Sequence, residues 1–243
     1  MKILDVGRRD LSVDADIKNV KIKDSNGYYR IILGVLNSYN ENGRFYRVKD
    51  LDKITNKESI LGKRLYDGIL RSEYDHPGSK GMTLKEHINR TVIINIDRVC
   101  AHIKKIEFIT DTKCEVGWEG LNRIYVVGWV KPSGPYGKYL EEYLNNRDEN
   151  VSFSIRCLLN PSDVDPKVFD VVEISTYDFV FEQGIRESTA WNAAGYENID
   201  LSTLYGEDID ELITGMESNE CPDSRCLIKV FKDMKTKSIL DWQ

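Results

Sequence analysis

The sequence predicts a mostly β, α+β chain whose short strands close into a barrel or sandwich, with a few helices packed outside. Three observations carry this. Runs of β-branched and aromatic residues recur between turn residues from about 19 to 181. Only about three connecting stretches carry apolar residues at helical spacing. No phosphate loop or dinucleotide fingerprint occurs, and the absence of regular strand–helix alternation argues against a doubly wound parallel sheet.

In chain order, residues 19–37 read as a hairpin, with Val20 and Ile22 alternating with lysines before an Asn26-Gly27 turn. Such a dipeptide accepts the positive φ values of a tight turn. Residues 40–46 form a polar loop, and 58–70 spaces Ile60, Leu61, Leu65 and Ile69 as one helical face. Asp75-His76-Pro77-Gly78 breaks regular structure and places His76 on a loop or strand end. Residues 91–109 are rich in β-branched side chains and predict one or two strands. Strands are expected at 125–130, 151–159, 169–174 and 177–181, and a helix at 136–146 after the Pro132–Pro135 turn. Beyond 198 the apolar pattern weakens, so 1–198 is expected as one domain and 199–243 as an acidic appendage or tail.

Composition narrows the classes of function. The 243 residues are 41% hydrophobic, enough for a large core. The net charge of −6 and a pI near 5.3 oppose a nucleic-acid binder, which needs basic surface to displace counterions. No leader-like segment opens the chain, and no run approaches the roughly 18 apolar residues that span a bilayer. No membrane or nucleic-acid partner is therefore expected. Five cysteines, an odd number without a Cys-x-x-Cys pair, suit free thiols in a reducing cytoplasm. Cys221 and Cys226 are near enough to suggest a disulfide or half a metal site, but free thiols are the simpler reading.

Three histidines, His76, His87 and His102, bound any histidine-dependent chemistry. A serine hydroxyl needs a base within hydrogen-bond reach, and that base needs a third group to fix its tautomer. Serines are abundant and no Gly-x-Ser-x-Gly elbow occurs, so spacing alone selects none. No His-Glu-x-x-His pattern joins His87 or His102 to a metal site, and no metal or other cofactor is expected.

Four segments, in order, carry a resemblance: Asn42-Gly43-Arg44-Phe45-Tyr46, Ser72-Glu73-Tyr74-Asp75-His76-Pro77, Val151-Ser152-Phe153-Ser154-Ile155-Arg156, and Thr176-Tyr177-Asp178-Phe179-Val180. Together they resemble the prohead core proteases of tailed bacteriophages, relatives in fold of the herpesvirus assembly proteases. The family patterns are Asn-x-Arg-x-Tyr, Gly-Glu-Leu-(Asn/Asp)-His-Pro, Val-x-x-Ser-Ser-Arg and a downstream segment with a central Asp. Between the second and third segments, Gly128-Trp129-Val130, a Gly- and Pro-rich turn and a helix follow the family's order. Ser72 and Cys157 stand where the family has glycine.

The resemblance implies a herpesvirus-protease-like β-barrel with helices outside. It implies a serine endopeptidase cleaving scaffold or core and major capsid proteins inside the prohead, in the host cytoplasm. It makes Ser154 the nucleophile, with Ser152 as competitor, and His76 the general base. Asp178 becomes the third member, with His102, Glu173 and Asp75 as rivals. Arg156 is expected to help hold the oxyanion, Glu73 to brace the loop, and the 42–46 segment to shape a groove or form a simple turn. The family's preference for cutting after Glu, with Leu or Ile two positions earlier, fits Ile209-Asp210-Glu211 and Ile185-Arg186-Glu187 and suggests self-cleavage. Homo-oligomers are possible for such a protein. Two other readings stand beside it: an inactive capsid-core or scaffold protein that keeps the fold, and an acidic binding module whose motifs match by accident.

Overall fold

In the computed structural model, the described residues are 23–40, 43–78, 80–115, 117–146, 151–162, 165–181, 197–200, 228–229 and 231–232. The expected first strand at 20–22, both tripeptides ending in Glu, Cys221 and Cys226 lie outside them, as does nearly all of the expected tail. Among the described residues no helix is long and apolar enough to cross a membrane.

The strands are β1 (Tyr29–Leu36), β2 (Phe45–Arg47), β3 (Arg71–Glu73), β4 (Val99–Cys114), β5 (Asn122–Pro132), β6 (Ser152–Pro161), β7 (Val168–Val180) and β8 (Glu197–Asp200). The helices are α1 (Leu51–Thr55), α2 (Ile60–Asp67), α3 (Leu84–Val92) and α4 (Gly137–Asn145). The mostly β, α+β class is thus the observed one. β1-β5-β4-β3 form one four-stranded sheet and β2-β7-β6-β8 another. Their inner faces share one apolar core, with Ile31, Leu33, Ile103 and Val126 from the first sheet and Phe153, Ile155, Cys157 and Tyr177 from the second. Burying each such large side chain contributes about 1.5–3 kcal/mol.

The expected closed barrel is corrected: neither sheet closes on itself. Among the described residues only isolated bridges occur between them: Tyr74, just after β3, with Phe179 of β7, and Tyr39, in the β1–β2 connection, with Phe45 of β2. The reason is the crowded outer edge of β7. Three-residue β2 pairs with its first residues and the Tyr74 segment meets its last, so no continuous ladder runs around.

Local signals explain most boundaries. Ser59 caps α2 by accepting from Gly62 N at 3.0 Å, and Gly68 ends it in the left-handed region at φ 71°. A Cβ on Gly62 would lie 1.9 Å from Asn56 O, so only glycine lets the helix start that close to the preceding turn. The strand expectation for 91–109 is half corrected. Val92 ends α3, a short 3-10 turn covers Ile96–Arg98, and β4 starts at Val99. A reciprocal capping box, Thr83 with Glu86, starts α3 and outweighs the β-branched composition at its end. The two strands expected at 169–181 are one, β7, with a bulge at Ser175. β8 runs across the expected domain boundary and pairs in parallel with β6 from Arg156 to Leu159.

Candidate active site

The site is built on one face of the β6–β7 pair. From Val151 to Cys157, β6 alternates apolar and polar residues, so Phe153, Ile155 and Cys157 enter the core while Ser152, Ser154 and Arg156 share the other face. That polar face is also buried: Ser152 is 2% exposed, Ser154 0% and Arg156 0%. In register, Ser154 opposes Asp178, Ser152 opposes Val180 and Arg156 opposes Thr176. Directly opposed residues carry their Cβ atoms about 4.5–5.5 Å apart. The bulge lets Arg156 face Thr176 while the next pair, Cys157 and Ile174, both turn to the core.

His76 reaches this face from the segment after β3. Tyr74 N donates to Arg98 O at 2.8 Å, and the Arg98 guanidinium donates back to Tyr74 O through Nη2 at 2.6 Å. Asp75 N donates to Phe179 O at 2.7 Å, which ties the segment to β7. Asp75 then turns left-handed at φ 64°, a conformation Asp and Asn tolerate better than most residues. Its Oδ1 accepts from His76 N at 2.8 Å. Pro77 restricts His76 to extended backbone. The short Asp-His-Pro string therefore has a mechanical content: one residue for the turn, one to deliver the ring, one to stiffen the exit.

The His76 ring lies with Nδ1 3.0 Å from Asp178 Oδ2. A carboxylate can only accept, so Nδ1 carries the proton and Nε2 holds the lone pair. Nε2 is buried and has no hydrogen-bond partner among the described residues.

Asp178 is fully buried and held from three sides. Oδ1 accepts from Glu73 N at 3.0 Å, and Oδ2 accepts from Arg156 Nε at 2.7 Å. Arg156 Nη2 lies 2.6 Å from the same oxygen, an ion-pair contact off hydrogen-bond alignment. Burial pushes the carboxyl upward, but the Arg156 charge, the His76 ring and Glu73 N–H outweigh it and hold it below its ordinary range. For Arg156, burial works against the charge, and Asp178 and Glu73 overcome it and raise the guanidinium further. Arg156 Nη1 donates to Glu73 Oε1 at 3.0 Å. Nε and Nη1 thus donate to two carboxylates, which makes Arg156 a brace between Asp178 and Glu73. Glu73 is braced in turn by Asn95 N at 2.7 Å and by both terminal nitrogens of Arg90.

The model of the peptidase S80 family matches residues 12–228, most of the chain. The chain belongs to the peptidase S80 family. It is also 35% identical over 196 residues to the capsid maturation protease of Pseudomonas phage phiKZ, covering 78% of this chain and 70% of that one. No solved structure matches.

In this S80 peptidase the rivals for Asp178 are engaged elsewhere. His102 Nδ1 meets Tyr28 OH at 2.8 Å and Nε2 meets Gly68 O at 3.0 Å. Glu173 Oε1 accepts from Ile60 N at 3.0 Å at the start of α2, and burial pushes its carboxyl up to about 8. Asp75 caps the His76 backbone. His87 sits half-buried on α3, and no group of three metal-ligating side chains occurs among the described residues. Of the 42–46 segment, Asn42 lies outside the described residues, Gly43 turns the chain at φ 70°, Asn40 Oδ1 accepts from Arg44 N at 2.8 Å, and Phe45 and Tyr46 start β2 and are buried.

The two departures from the family pattern are accommodated at bulges. Ser72 lies where β3 shifts register against β4, with Cys100 Sγ 3.4 Å from its carbonyl oxygen. Cys157 lies at the β7 bulge. Burial pushes the Cys100 thiol up to about 12 and the Cys157 thiol well above its ordinary value. Neither supplies the thiolate that cysteine chemistry needs. Sequence reasoning missed Arg90, Asn95 and Arg98. The Thr83–Glu86 spacing could have found α3 and with it the place of Arg90.

Proposed function

We propose that this peptidase is a serine endopeptidase that cleaves capsid-precursor proteins of a tailed phage, with Ser154 as nucleophile, His76 as base and Asp178 as the group that orients the base. The observation that carries the reading is the buried His76 ring. Asp178 accepts a hydrogen bond from Nδ1–H and leaves Nε2 as an unpaired base. The β6–β7 register sets Ser154 opposite Asp178 on the same face. On this reading Nε2 takes the Ser154 proton as Oγ attacks the scissile carbonyl, and then gives it to the leaving amine. The resulting ester is hydrolysed by water activated at the same nitrogen. Asp178 keeps the tautomer and stabilises the imidazolium, and Arg156 holds Asp178.

The likeness to a phage protein named a capsid maturation protease supports capsid and scaffold or core proteins as substrates. The workplace is then the interior of the prohead, in the host cytoplasm. Co-expression of the chain with its capsid and scaffold proteins, beside Ser154→Ala, tests this by intact-mass spectrometry. Defined cleavages made by the parent and lost in the variant are expected. Cleavage by both would move the nucleophile to Ser152. Precursors left whole by the parent inside assembled proheads would leave a silent capsid-core protein.

A further inference from the structure

We propose that Arg90, on α3, is a positioning residue for His76: it holds Glu73 so that Arg156 stays on Asp178. The inference rests on the reading of His76 as base. Four charged side chains form a chain ending at the ring. Arg90 Nη1 donates to Glu73 Oε1 at 2.9 Å, and Nη2 pairs with Oε2. Arg156 Nη1 reaches the same Oε1 at 3.0 Å, while its Nε and Nη2 are on Asp178. The side chains of Glu73 and Asp178 are both 0% exposed, and that of Arg156 is 1% exposed. Two carboxylates here are balanced by two guanidinium groups.

Arg156 alone cannot serve two buried carboxylates. A guanidinium pairs best with one carboxylate, two nitrogens to two oxygens. Arg90 takes that role for Glu73, and its own backbone anchorage is local, since Nη1 also donates to Ile93 O at 2.9 Å. Without Arg90, Glu73 is left with one shared cation. Arg156 then swings toward Glu73, the cluster carries one uncompensated negative charge, and Asp178 is less firmly fixed. The other charged and titratable groups around the cluster stay as they are: Asp75, which accepts from His76 N, Arg98 4.0 Å from Asp75, and buried Cys100 on β4. An unbalanced carboxylate favours the imidazolium, so His76 should hold its proton to higher pH.

The ring nitrogens of His76, one of only three histidines, can be followed by 15N NMR in the full chain carrying Ser154→Ala. In that background R90M is expected to raise the His76 titration midpoint by about one pH unit. R90K keeps the charge and should stay near the parent. In E73Q the carboxylate that Arg90 serves is gone, so adding R90M should leave the midpoint where E73Q puts it. An unmoved midpoint in folded R90M overturns the proposal, and so does an equal shift from R90M with and without E73Q. Should R90M alone not fold, the E73Q pair and R90K carry the comparison. These titrations need no cleavage, so failure of the protease reading is visible separately, as a parent chain that cuts nothing. In an active chain, R90M should lower kcat with KM unchanged and move the acid limb upward by the same interval.

Discussion

His76 is a buried ring with a carboxylate partner and His102 a part-buried ring with a hydroxyl partner, and they end in opposite states. His102 bridges Tyr28 OH and Gly68 O. A carbonyl only accepts, so its Nε2 carries the proton and its Nδ1 accepts from the phenol. Both ring nitrogens are used up, and Tyr28 packs edge-on at 5.8 Å between ring centres. His76 has the other tautomer, with one nitrogen held by Asp178 and the other buried without a partner among the described residues. A satisfied ring locks a corner of the fold. On the proposed reading, a ring with one nitrogen anchored and one left open is arranged for proton transfer, because the open position is the place where a substrate or nucleophile completes the network.

The comparison can be broken at its strongest point first. His76→Ala and Ser154→Ala should each remove about 10⁶-fold of kcat on a capsid-precursor substrate, and the double variant should be no worse than either alone. Additive losses would separate the two residues. Next, Asp178→Asn keeps the shape but presents an amide that favours the wrong tautomer, and a loss of about 10⁴-fold is expected. Arg156→Met should act on the fold: two buried carboxylates lose their shared cation, at about 3–5 kcal/mol in urea unfolding.

Smaller effects sharpen the contrast between groups that serve the ring and groups that serve the frame. Glu173 has its carboxyl raised to about 8 by burial, so between its unfolded value near 4.5 and 8 the folded chain binds the extra proton. Stability must then fall as pH rises through that window. Glu173→Gln should flatten this slope, with a Tm gain that is larger at pH 8 than at pH 5, by calorimetry. Asp178 works in the opposite sense: its carboxyl is lowered, so its contribution is present at neutral pH and is lost as pH falls through its folded value. The smallest effect on chemistry is expected at the other histidine. His102→Gln should leave kcat within about 3-fold while losing about 1 kcal/mol of stability, since one part-buried partner group is left unpaired.

Much of the site could be read along the chain because its parts are short and local. Asp75-His76-Pro77 encodes a left-handed residue, a delivered ring and a stiff exit, all within three positions. The alternation around Ser154 encodes which side chains share its face. Helices starting at Ser59 and ending at Gly68 follow from capping chemistry that acts within one turn. What went unread lies at long range or depends on competition. The strand expected at 91–109 loses its first part to a helix because a capping box several residues upstream starts α3. Arg90 looks like any surface cation until α3 is laid against Glu73.

The sequence by itself determined the mostly β class and most of the strand positions, through period-two patterning and turn chemistry, which are local properties. The choice of His76 among three histidines came from the resemblance of the Asp75-His76-Pro77 segment to a family motif. Tertiary structure alone decided that the polar face of β6 is buried and not wetted, that the sheets meet at single bridges without closing, and that Arg156 serves Asp178 and Glu73. Alternation fixes which residues share a face but not what covers it. A guanidinium's partners are chosen only when strands and helices distant in sequence bring their charges together in a space that water has left.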